Sequence, residues 1–91
     1  MAQFQMTMMH GERGGEGVYR FEAADDLLRH SPITVLRAAM AYLDAHAGIG
    51  HIDYEVNAAL KNSDKSVVTA MGSLVFHGED HQPFICFISG L

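Results

Sequence analysis

A chain of 91 residues and 10.0 kDa, with 48% hydrophobic and 19% charged side chains, is expected to be a single domain spanning residues 1–91. Its apolar content excludes disorder, and no stretch approaches the roughly 20 apolar residues of a membrane-spanning helix. The formal net charge of -5 and the spread of the six basic residues, Arg13, Arg20, Arg29, Arg37, Lys61 and Lys65, argue against nucleic acid and anionic membrane surfaces as partners.

Residues 1–7 lack the basic start and continuous apolar run of a secretory signal. The single cysteine forms no internal disulfide, so the core holds the domain unaided, and a reducing cytoplasm is the expected compartment. Histidine is the unusual count, at six; protonating all of them would bring the formal charge to +1.

Residues 3–10 alternate, with Phe4, Met6 and Met8 on one face and Gln3, Gln5 and Thr7 on the other, which predicts a strand. The segment 11–17 holds four glycines in seven residues and predicts a mobile hairpin loop. A short second strand follows over 18–22, with Tyr19 and Phe21 on one face. Residues 25–30 form a turn or two of helix, and Ser31-Pro32 then supplies an N-cap and a proline at the first helical position. Ile33, Leu36, Met40, Leu43 and Ala47 fall on one stripe of a helix over 32–47, with Arg37, Ala41 and Asp44 opposite. Gly48 is placed to close that helix in a left-handed conformation, with Ile49 as its hydrophobic contact.

The alternation over 51–62 sets Ile52, Tyr54, Val56, Ala58 and Leu60 against His51, Asp53, Glu55, Asn57, Ala59 and Lys61. After turn residues 62–65 comes a strand over 66–77 whose two sets, Val68, Ala70, Gly72, Leu74, Phe76 and Val67, Thr69, Met71, Ser73, Val75, are both largely apolar. The apolar run 84–88 is a further buried strand, and strands apolar on both faces are interior and covered on both sides. The expected fold is α+β, in the order β-β-α-β-β-β, with an antiparallel sheet of about five strands and one main helix packed on one face.

One helix covers one sheet face, so the apolar residues Val67, Met71, Val75, Ile85 and Phe87 on the other need a second cover. A second copy is the simplest, because contiguous exposed apolar patches are uncommon on monomers and symmetric dimers are the commonest assembly. Met9 and Met71 lend such an interface adaptability.

Candidate chemistry is sparse. A three-residue turn at Ser63-Asp64-Lys65 pairs Tyr54 with Leu74 and Ile52 with Phe76, and places His51 opposite His77 with Asp53 on the same face. Two imidazoles and a carboxylate can bind a divalent metal such as zinc or orient a proton transfer, though a register shift of one residue separates the pair. The glycine loop lacks the Gly-Lys-Ser/Thr ending and the following helix of a phosphate cradle. Cys86, inside an apolar run, is a core residue and not a nucleophile, and no serine has a nucleophile-elbow setting. No cofactor motif is present. The expected function is a non-catalytic homodimeric interaction or regulatory module with a possible protein partner; the alternative is a small-ligand or metal-binding enzyme using His51, His77 and Asp53.

Overall fold

The computed structural model describes residues 1–11, 15–46, 52–76 and 80–91. Strands β1 (Ala2–His10) and β2 (Gly15–Ala23) are followed by a 3-10 turn (Leu27–Arg29) and helix α1 (Pro32–His46). Three further strands, β3 (Ile52–Lys61), β4 (Val67–Phe76) and β5 (Gln82–Gly90), complete one antiparallel sheet in the order β2-β1-β5-β4-β3. The expected α+β class and β-β-α-β-β-β order are therefore present, and the two strands apolar on both sides, β4 and β5, are interior.

The core is one layer between α1 and the inner sheet face. Phe4, Met6, Met8, Phe21, Ile52, Val68, Ala70, Leu74, Phe84, Cys86 and Ile88 enter it from the strands, and Val35, Leu36, Ala39, Met40 and Leu43 from the helix. Phe4 stacks on Phe21 with centroids 5.6 Å apart, and Tyr42 carries the aromatic contact on to His46. Ser31 caps α1 as expected: its carbonyl accepts the Val35 N–H at 3.1 Å and its Oγ the Thr34 N–H at 3.3 Å.

The helix presents a face rotated from the expected stripe. Val35 is fully buried whereas Ile33 is 40% exposed, because the sheet touches the i, i+1, i+4, i+5, i+8 set from Val35 to Leu43 instead of a narrow seam. Ala47, Gly48 and Ile49, expected to end the helix, lie outside the described residues. The glycine loop is shorter than its composition suggests. Residues 15–17 already pair with β1, from His10 opposite Gly15 to Met8 opposite Gly17, and only Gly11 among the described glycines takes a positive φ, +79°.

The largest departure lies in β3. Ile52, Tyr54 and Val56 pair with Phe76, Leu74 and Gly72 in the expected register, but beyond a β-bulge Ala58 pairs with Met71 and Lys61 with Val68. Asn57 is the extra residue, so Val56 and Asn57 together oppose Gly72. The hairpin loop holds the four residues 63–66, not three, and Asn62 pairs with Val67 across it at 3.1 Å. The bulge converts the register set by this longer loop into the one observed at Ile52. Past it the faces exchange: Ala59 and Lys61 turn toward the helix side, while Ala58 and Leu60 turn outward, against the expected alternation.

Gly72 is required by this geometry. A Cβ there would land on the Glu55 carbonyl oxygen, backbone that cannot move aside cheaply. Gly72→Ala is expected to lower unfolding free energy in urea by about 2 kcal/mol or more. Deleting Asn57 straightens β3 without changing which face any other residue occupies, so the cost of Gly72→Ala should shrink in that background; equal costs in both would refute the bulge as its cause.

Burial pushes the Cys86 thiol up to about 11 from its ordinary 9.0, a contact with the Ala70 backbone offsetting part of the effect. The folded state therefore holds a proton that the unfolded chain releases above pH 9. This contribution is complete below pH 9 and is lost as pH rises through 9 toward 11, at up to ~1.4 kcal/mol per pH unit. Comparing the pH dependence of wild-type and Cys86→Ala stability should show that extra decline in wild type alone, and a thiol reagent at pH 8 should modify the folded protein far more slowly than the denatured one.

Candidate functional site

The sheet alternates strictly enough that its outer face can be read row by row. In one row Val18, Thr7, Phe87, Thr69 and Leu60 lie side by side from β2 to β3. In the next come Met9, Ile85, Met71 and Ala58. No segment of the described chain packs over these rows, and Val18 is 57%, Leu60 53%, Met71 43%, Met9 38% and Phe87 37% exposed. All five residues expected at an interface, Val67, Met71, Val75, Ile85 and Phe87, belong to this face, and Val67, Val75 and Ile85 are half-buried within it. The sequence reading missed Leu60 and Ala58, which the bulge adds, and Val18, which its position on β2 adds.

A shallow notch of ≈ 290 Å³ is cut into this surface, lined by Met9, His10, Gly11, Met71, Pro83, Phe84 and Ile85. The two methionines give it unbranched, polarizable walls that reshape around a partner. His10 lies at its rim, its Nδ1 3.1 Å from Gln82 Oε1. Polar residues bound the face: Arg20, Gln5 and Ser89 form the row on one side of the apolar band, and Glu55 and Asp53 lie beyond its other side on β3. Gln3 donates to Glu22 at 2.8 Å at the first of these ends.

The candidate metal or proton-transfer group is represented only by Asp53, because His51 and His77 lie outside the described residues. Asp53 is exposed opposite Val75 and shares a notch of ≈ 260 Å³ with Tyr54, Glu55, Ser73, Val75 and His81. Among the described residues no group of three His, Cys, Asp or Glu side chains is placed to hold a metal ion. On the helix side, Arg37, Asp44 and Tyr54 line a cleft of ≈ 240 Å³ with Met40 and Ile52. Burial raises the Tyr54 phenol above its ordinary range, the nearby Arg37 charge opposes this and Asp44 adds to it. Asp44 accepts the Ile52 N–H at 3.2 Å, which ties the end of α1 to the start of β3.

The basic residues, scattered in sequence, are not all scattered in space. Arg29, Lys61 and Lys65 line one cleft of ≈ 530 Å³ with Leu28 and Pro32, on the helix side of the sheet. No spacing in the chain announces this group, because alternation continued unbroken from Ile52 would put Lys61 on the outer face. Among the described residues no helix is long and apolar enough to cross a membrane. Compared with protein-family models, curated proteins and solved structures, the chain matches none of them.

Proposed function

We propose that the protein is a non-catalytic homodimeric interaction module whose outer sheet face packs on the same face of a second copy. The observation that carries this reading is the apolar band of Val18, Met9, Phe87, Ile85, Met71 and Leu60, which crosses all five strands uncovered by the described chain.

Size and charge both favour a second copy. Five strands about 4.8 Å apart and nine or ten residues long, at about 3.3 Å per residue, make a face of roughly 24 by 30 Å, or about 700 Å². That is close to the roughly 800 Å² per partner of a standard stable interface. Arg20 and Glu55 occupy diagonally opposite corners of the face, and the midpoint between them falls between Phe87 and Ile85 at the centre of the apolar band. A two-fold axis through that midpoint sets Arg20 of each copy over Glu55 of the other. The strands of the two sheets then cross at about a right angle, one of the two common sheet packings. Opposite charges at the rim of a desolvated centre give register and specificity.

Light scattering after size exclusion is expected to give twice the 10.0 kDa chain mass at micromolar concentration. Ile85→Glu should yield a monomer with unchanged circular dichroism. Arg20→Glu should weaken the dimer, and the double variant Arg20→Glu, Glu55→Arg should restore it. A wild-type monomer at about 100 µM would sink the reading, and a dimer indifferent to Ile85→Glu would move the interface elsewhere.

A further inference from the structure

We infer that the cleft between the 3-10 turn, the start of α1 and the β3–β4 loop binds a small phosphate-bearing ligand through Arg29, Lys61 and Lys65. These three are half of the six basic residues of a chain with formal charge -5, and the rest of the chain carries -8. Among the described residues none of the three is in an ion pair, whereas Met1 pairs with Asp25 and His30 with Asp26. With three cations and no carboxylate among its lining residues, the cleft presents a locally positive surface on an otherwise acidic chain.

Each cation is positioned by a separate feature of the backbone. Lys61 pairs with the buried Val68 in the register set by the loop and so lies on the helix side, where its Nζ donates to the Leu28 carbonyl at 2.8 Å. An ammonium has three donors, so two remain for a ligand. Lys65 adopts φ +61°, a left-handed conformation that glycine or asparagine takes at lower cost. Its turn is held by Lys65 N–H donating to the Asn62 carbonyl at 3.0 Å and by Asn62 Oδ1 accepting from Ser66 N–H at 3.0 Å and Val67 N–H at 2.9 Å. The neighbouring Asp64 carboxylate is occupied within the turn, accepting the Ser66 Oγ–H at 2.6 Å and the Ser66 N–H at 3.0 Å. Arg29 ends the 3-10 turn and offers a planar donor fork.

A fork beside two point charges suits a tetrahedral group with two or more negative charges, and Leu28 and Pro32 supply an apolar floor for the rest of a small molecule. The formal -8 outside the cleft disfavours a long polyanion. The cleft is on the opposite side of the sheet from the proposed dimer face, so the two readings stand or fall separately.

The test is a titration of the full chain with inorganic pyrophosphate at about 50 mM salt, followed by amide and lysine side-chain NMR shifts. Saturable shifts confined to residues around Leu28, Arg29, Lys61 and Lys65 are expected. Lys65→Gly should raise the thermal midpoint by relieving the left-handed residue, yet weaken pyrophosphate binding by about threefold. Lys65→Asn serves equally should the glycine variant fold poorly, and Lys61→Met should weaken binding at least as much. No saturable shift up to about 10 mM, or unchanged affinity in the Lys65 and Lys61 variants, overturns the site. Equal affinity for citrate overturns the phosphate class, and markedly tighter binding of a single-stranded RNA octamer overturns the small-molecule class.

Discussion

The β3–β4 hairpin is constrained at both ends, by its loop and by the start of β3, and the rest of the structure depends on how those two registers are reconciled. A four-residue loop pairs Asn62 with Val67, while Ile52 pairs with Phe76, and the two ends of the hairpin are out of step by one residue. Asn57 absorbs that residue, and Gly72 is the position where the displaced Glu55 backbone leaves no space for a side chain. The register set by the four-residue loop therefore fixes the facing of Ala58 to Lys61, and the bulge lets Ile52 to Val56 keep theirs. Leu60 joins the apolar outer face and Lys61 joins Arg29 and Lys65 on the helix side, whereas uninterrupted alternation would have exchanged them.

The second determinant is the mismatch between one helix and five strands. With β5 and β4 interior, both of their faces are removed from the sheet edge, and α1 shields only the inner one. Phe4, Met6, Met8, Cys86 and Ile88 are buried against the helix side, whereas Met9, Met71 and Phe87 on the outer face stay exposed and Ile85 is half-buried. Contiguous exposed apolar side chains of this kind are uncommon on monomers, and the proposed dimer would bury them. A domain this small gains more from such burial than a large one does, because its own core covers a smaller fraction of its surface.

Most of the fold was legible in the sequence because local signals agreed: the Ser31-Pro32 cap, alternation in β1 and β2, and the doubly apolar strands β4 and β5 all point to the same arrangement. The helix phase was misjudged because Val35 and Ile33 are equally apolar, and only the width of the sheet decides that Val35 is buried. The bulge was invisible for a related reason. Alternation reports facing only when one face is polar; Ala58 and Leu60 extend the apolar series of Ile52, Tyr54 and Val56 in sequence while belonging to the opposite face, which at that end is apolar through Met71 and Phe87. The convergence of Arg29, Lys61 and Lys65 followed the same error, since reading Lys61 on the outer face separates it from Arg29. His51 and His77 fall outside the described residues; the register expected for their hairpin does hold as far as Ile52 and Phe76.

Leu60 and Lys61 are adjacent on one strand and serve opposite sides of the sheet, which separates the proposed dimer face from the proposed anion cleft in space while joining them through one backbone. Changes confined to side chains, such as those at Ile85 or Lys65, act on one surface and leave the other intact, because no lining residue is shared. Changes that alter register act on both. Asn57 is the instructive case: removing it restores regular alternation with Val56 still inward, Ala58 outward and Lys61 inward, so both surfaces survive its loss. The bulge is thus not a device for orienting those residues individually. It reconciles the longer loop carrying Lys65 with a strand start tied to Asp44 at the end of α1, and Lys65 and Leu60 can belong to the same hairpin because that reconciliation is made at a single residue.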